Sequence, residues 1–256
     1  MDDKRKGIYI LPNLFTTAAL FAGFYAIVQA MKGQFWPASV AVFIAMIMDG
    51  LDGRVARWTH TESDFGAQYD SLSDMVSFGL APALVVYEWA LSGLGKLGWL
   101  AAFIYSAAAA LRLARFNIEA DSDRRMFFHG LPSPAAAAVV TGLVWVMQRY
   151  GEPSLWLRGV ALVITVLVGA AMVSNIRYHN FKHIDLKGRV PFISVLAVVL
   201  TFVLISLDPG RVLFGLFFCY ALSGPINALF RHYRRFLHRR RQDDAHDKPP
   251  HSRGHL

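Results

Sequence analysis

Residues 49–74 read DGLDGRVARWTHTESDFGAQYDSLSD and set two pairs of aspartates, Asp49 with Asp52 and Asp70 with Asp74, against runs apolar enough to cross a bilayer. An ionisable side chain inside a transmembrane segment costs about 2.5–3.5 kcal/mol even on the lenient insertion scale. Four together demand a compensating charge, and divalent metal is the obvious candidate.

The rest of the chain supports the membrane reading. Apolar residues make up 55% of the sequence and charged residues only 17%. The apolar ones are gathered into runs long enough to cross ~30 Å of hydrocarbon. This patterning predicts an all-α fold, a polytopic membrane helical bundle of about eight spans at 12–31, 35–57, 71–93, 97–118, 132–149, 155–176, 190–207 and 210–230. Residues 12–31 are too long for a cleavable signal core, so the first run is read as a span. The single cysteine, Cys219, excludes an internal disulfide and sits in the last apolar run as an inert thiol.

Charge placement tests this count, because Lys and Arg in short loops favour the cytoplasmic side. Eight spans with both termini in the cytoplasm leave only Lys32, Lys96, Arg149, Arg158 and Arg211 of the 26 basic residues on the other side. The formal net charge of +8 then faces anionic membrane lipids, and nucleic acid is not an expected partner. Residues 1–231 form the transmembrane domain in this reading. Residues 232–256 form a basic cytoplasmic tail expected to be disordered, its basic start held at the lipid surface.

Helical geometry groups the chemistry. At about 100° per residue, Asp49, Asp52, Gly53 and Ala56 share one stripe, and Gly66, Asp70, Asp74 and Ser77 share another. The short linker from Trp58 to Asp64 makes the two helices antiparallel neighbours with their aspartates facing. Oxygen donors without cysteine or histidine suit Mg²⁺, Mn²⁺ or Ca²⁺ better than zinc or copper. Two such ions about 3.5–4 Å apart would clamp a diphosphate. Helix caps and ion pairs with Arg54 and Arg57 would explain one or two of the aspartates, but not four.

The same residues spell D-x-x-D-G-x-x-A-R, then eight residues from Trp58 to Phe65, then G-x-x-x-D-x-x-x-D. In this the chain resembles the CDP-alcohol phosphatidyltransferases, with every defined place filled. The resemblance implies that Asp49, Asp52, Asp70 and Asp74 bind two divalent cations, Mn²⁺ or Mg²⁺ with Ca²⁺ also compatible. It makes Asp70 and Asp74 catalytic, Asp74 as general base. It also implies that Gly53, Ala56, Arg57 and Gly66 lie, with Asp52, along the CDP moiety. Asn13 and Thr16, in the run PNLFT, resemble the family's further contacts to the nucleotide; helix capping near the interface accounts for these two equally well.

Three more stretches, LRLARFN at 111–117, GLPSPAAA from Gly130 and VSNIRYHNFK from Val173, resemble the integral-membrane bacterial phosphatidylserine synthases of that family. This implies CDP-diacylglycerol and L-serine as substrates, an inner-membrane location and a homodimer. Arg112, Arg115, Asn117, Arg177 and Lys182 then become candidates for holding the acceptor carboxylate and the lipid diphosphate, with snorkelling to the interface as the alternative for the basic ones. Transferases for glycerol 3-phosphate, inositol phosphate or choline share the signature and remain open. A cation or proton transporter would also carry membrane aspartates, yet here they lie at one end of the bundle, flanked by glycine and arginine, and no repeated halves are visible. His246 and Lys248 form an H-x-K pair without the downstream aspartate that a phospholipase-D-like nucleophile requires. No chemistry-bearing residue is apparent in the last two spans.

Overall fold

The computed structural model describes residues 3–59, 61, 63–120, 128–178 and 192–246. Helix α1 (Asp3–Met31) and helix α2 (Phe35–Thr59) form an antiparallel pair. The chain reverses at Gly33, whose φ of 71° lies in the left-handed region that glycine enters without a Cβ penalty. Buried alanines at helical spacing, Ala19, Ala22, Ala26 and Ala30 on α1 and Ala38, Ala41 and Ala45 on α2, belong to one core cluster and let the pair close tightly.

A continuous helical rod then runs from Asp64 to Leu94. It opens as α3 (Asp64–Asp74), capped by the Ser63 hydroxyl, which accepts from the Gly66 N–H at 3.1 Å. It widens into a π-helix over Met75–Leu80, returns as α4 (Ala81–Val86), and ends in a second π stretch and a 3₁₀ turn. Pro82 has no N–H, so the carbonyl of Phe78, four residues earlier, loses its helical partner. The buried Tyr105 hydroxyl replaces it, donating to Phe78 O at 3.0 Å.

Helix α5 (Lys96–Ala120) supplies that tyrosine and packs along α7 (Leu155–Val173). Between them in sequence, α6 (Ser133–Met147) is apolar on every side and buried on nearly every side, so it is the central post of the bundle. It touches α2, α4, α7 and α9. Helix α8 (Phe192–Leu207) and helix α9 (Pro209–His246) complete the chain. Among the described residues the strands are two, each of two residues, β1 (Phe128–His129) and β2 (Arg177–Tyr178), paired antiparallel.

Among the described residues a helical segment overlaps each of the eight expected spans. Among the described residues six are long and apolar enough to cross a membrane by themselves: 12–31, 35–59, 64–94, 96–118, 155–173 and 209–230. The α6 and α8 helices are shorter, at 15 and 16 residues; a 3₁₀ turn at Gln148–Tyr150 lengthens α6. The segment from residue 232 differs from expectation, because α9 stays helical to His246. A helix already nucleated in the span propagates cheaply through Arg, Leu, Gln and Ala, all good helix formers.

Candidate metal and substrate site

The site is built from the second half of α2 and the C-terminal end of α3. One carboxylate oxygen from each of Asp49, Asp70 and Asp74 lies within 4.8 Å of the others. Asp52 sits one turn along α2, buried, in electrostatic contact with Asp70. Helix α1 holds the two acid-bearing helices in place. The Thr16 hydroxyl reaches Asp52 Oδ2 at 2.8 Å, while the Ser73 hydroxyl donates to the Thr16 carbonyl at 3.1 Å. One turn on, Ser77 donates to Ala19 O at 3.0 Å. Ser77 therefore leaves the aspartate stripe where helical arithmetic placed it. Gly23 permits this, since a Cβ there would come within 2.6 Å of the Ser77 hydroxyl oxygen.

Three oxygen donors from two helices, without nitrogen or sulfur, fit a hard divalent cation. Among the described residues neither Arg54 nor Arg57 forms an ion pair, so paired arginines do not explain the cluster. Both are exposed. Beside the acids, Gly53 leaves its backbone open, its nearest neighbour being Arg57 Nη1 at 3.9 Å from an ideal Cβ. Ala56 is half-buried on the same helix. Gly66 lies under Asn13, whose Oδ1 would be 3.5 Å from a Cβ at that glycine. Of the expected nucleotide contacts, Thr16 is joined to Asp52 and Asn13 lies close to Gly66, and capping does not account for Thr16, which lies well inside α1.

Of the basic rim, Arg112 is the residue brought to the acids. It is in electrostatic contact with Asp74 and Asp49, and its Nη1 donates to Ser133 at 2.7 Å, at the start of α6. Its Nε is buried without a hydrogen-bond partner. Arg115 instead reaches Asn175 Oδ1 at 3.0 Å, and Asn117 Oδ1 accepts from Ser71 at 3.1 Å, tying α5 to α3. The backbone of Arg177 lies in β2, its side chain outside the described residues, as is all of Lys182.

The sequence reading missed Ser73, Ser133 and Tyr220. The serines looked like ordinary small residues in helical runs. Tyr220, on α9, lies within electrostatic range of Arg112 and beside Tyr178, their ring centroids 5.7 Å apart; a tyrosine in an apolar run carries no signal of that kind.

The sequence model of the CDP-alcohol phosphatidyltransferase family matches residues 9–171. The chain is 38% identical over 215 residues to the CDP-diacylglycerol--serine O-phosphatidyltransferase of Helicobacter pylori, covering 84% of this chain and 90% of the relative. The enzyme of the same name from Methanocaldococcus jannaschii is 36% identical over 187 residues, 72% of this chain and 81% of its own. The archaetidylserine synthase of Methanothermobacter thermautotrophicus is 33% identical over 181 residues, 70% and 73% respectively.

Proposed function

Because the chain belongs to the CDP-alcohol phosphatidyltransferase family, we propose that it moves the phosphatidyl group of CDP-diacylglycerol onto the hydroxyl of L-serine, giving phosphatidylserine and CMP. The observation that carries the reaction is the convergence of Asp49, Asp70 and Asp74 beside Arg112. The names of the relatives carry the acceptor. Two divalent cations, Mg²⁺ or Mn²⁺, held by Asp49, Asp52, Asp70 and Asp74, would supply neutralising charge to the diphosphate.

The chain's own residues do the rest. Asn13, Thr16, Gly53, Ala56, Arg57 and Gly66 line the CDP moiety, where the bare backbone of Gly53 lets a phosphate approach closely. Asp74 accepts the proton of the serine hydroxyl. The serine oxygen forms a bond to the lipid-bearing phosphorus as the bond from that phosphorus to CMP breaks, and the electron pair leaves with CMP. Direct displacement in one step requires no covalent enzyme intermediate. Arg112 faces Asp74 and offers its guanidinium to the acceptor carboxylate, a planar forked donor that lysine does not copy. Arg115 and Asn117 hold the ends of α5, α3 and α7 around this pocket. In this reading the site faces the cytoplasm from the inner membrane and the protein works as a homodimer.

The test is CMP release by purified protein in detergent with CDP-diacylglycerol and Mn²⁺ or Mg²⁺, offering L-serine, glycerol 3-phosphate, inositol phosphate and choline separately. Serine-dependent release abolished by chelator is expected. Release with a different acceptor alone overturns serine and keeps the chemistry of the acids.

A further inference from the structure

The helical rod that carries Asp70 and Asp74 also carries a packed face: Ala81, Pro82, Ala83, Val85 and Val86 are buried, on a segment set against α1, α2 and α6. Between the acids and this face lies the π stretch Met75–Leu80, where the Ala81 N–H donates to Val76 O, five residues back instead of four. A π turn of this kind takes in one extra residue. Relative to an unbroken α-helix, that residue turns the acid face against the packed face by about 100°. The packed face is held by its neighbours, so the π turn decides where Asp74 is aimed.

Three consecutive residues of the turn are tied to other helices. Ser77 donates to Ala19 O on α1 at 3.0 Å. From α5, the Tyr105 hydroxyl donates to Phe78 O at 3.0 Å and the Ser106 hydroxyl to Gly79 O at 3.4 Å. Gly79 lets α5 come this close, because a Cβ there would lie 3.3 Å from the Cβ of Ala109, one turn beyond Tyr105. Phe78 O lacks its ordinary helical donor because residue 82 is proline. Tyr105 and Phe78 are both fully buried, so bulk water is no substitute for the hydroxyl.

We propose that Tyr105 is a positioning residue: its hydroxyl holds the π turn that aims the Asp74 carboxylate at the ion and the acceptor hydroxyl. This rests on the transferase reading above and deepens it. Tyr105 acts through the backbone of Phe78, without touching either substrate.

Three full-length variants test this, Tyr105→Phe, Pro82→Ala and the two combined. In Tyr105→Phe, kcat for CMP release at saturating Mn²⁺ should fall about a hundredfold, the scale of a misplacement of about 1 Å. KM for L-serine and for CDP-diacylglycerol should stay within about threefold, and the melting midpoint in chelator should drop. Pro82→Ala should keep kcat within about threefold of wild type, because Tyr105 still holds the turn. In the double variant the restored N–H at position 82 gives Phe78 O a helical donor, so the midpoint should recover while kcat stays low. If kcat recovers with the midpoint, or never falls in Tyr105→Phe, the hydroxyl only satisfies a carbonyl and the proposal is wrong. Mn²⁺ titration followed by melting gives a readout apart from turnover. The dissociation constant should rise about tenfold in Tyr105→Phe and in the double variant; an unchanged value overturns the proposal. A wild type that releases no CMP with any acceptor overturns the transferase reading alone, and the Mn²⁺ titration then decides the role of Tyr105 by itself.

Discussion

The two ends of the bundle solve opposite electrostatic problems. At one end three aspartates, Asp49, Asp70 and Asp74, crowd together with Asp52 interacting with Asp70, and the Arg112 guanidinium is the base nearest Asp74. At the other, a single carboxylate, Asp208, is shared by two arginines, Arg149 at 3.2 Å and Arg211 at 3.4 Å. Arg211 also donates through its backbone N–H to Asp208 and through its side chain to Tyr150. The second cluster is closed: its charges meet within the chain and join α6 to the turn between α8 and α9. In the first, acids outnumber the base beside them, which costs stability unless a cation arrives. Carboxylates that face one another with too few cations beside them, held in place by neighbouring helices, are what separates a site from a staple.

Neutralising one member of each cluster breaks the comparison most sharply. Asp74→Asn removes both a ligand oxygen and the proton acceptor, and CMP release should fall by at least about a thousandfold. Asp208→Asn should leave the same rate within about twofold. A small loss in the first variant would remove Asp74 from the chemistry.

Metal titration sharpens the comparison without relying on turnover. In chelator, Asp49→Asn should melt above the wild type, since it relieves repulsion among the acids. Added Mn²⁺ should then reverse the order, because only the wild type gains binding energy, about 2.7 kcal/mol at a hundred times the dissociation constant. A wild type whose melting midpoint ignores Mn²⁺ would deny the acids their ion. Thr16→Val probes the same cluster more gently. Losing the hydroxyl on the buried Asp52 should cost about 1–3 kcal/mol of stability and weaken the Mn²⁺ response. An unchanged metal titration would place Asp52 outside the ion site.

What was legible in the sequence follows the same division. Asp49, Asp52, Asp70 and Asp74 could be read because charge in an apolar run has few structural explanations, and their spacing put them on facing stripes. Asn13 and Thr16 were found by resemblance; the 2.8 Å contact from Thr16 to Asp52 then supplies the physical role. Tyr220 was not legible, because tyrosine is at home in a membrane helix and its place within range of Arg112 depends on how distant segments fold together. The π-helix after Asp74 was equally hidden. Its origin is tertiary: Pro82 frees a carbonyl and Tyr105, from another helix, makes the departure affordable. The helical extension of α9 was misread because charge was weighed above propensity, although a span preceded it and had already nucleated the helix.

The smallest expected effect lies at the closed cluster and depends on pH. The Arg211 backbone N–H, followed by the Arg149 side chain, holds the Asp208 carboxyl below its usual range. A carboxylate with a depressed folded value stabilises fully above its unfolded value of ~3.9 and loses that contribution as pH falls through the folded one. The melting midpoint of Asp208→Asn should therefore lie slightly below wild type at neutral pH, and the gap should close on acidification below about pH 4. Exposure to solvent keeps the gap small. A gap that persists unchanged in acid would show that Asp208 acts through neutral hydrogen bonds, with its charge immaterial. The contrast with the opposite end would then rest on the excess acids alone.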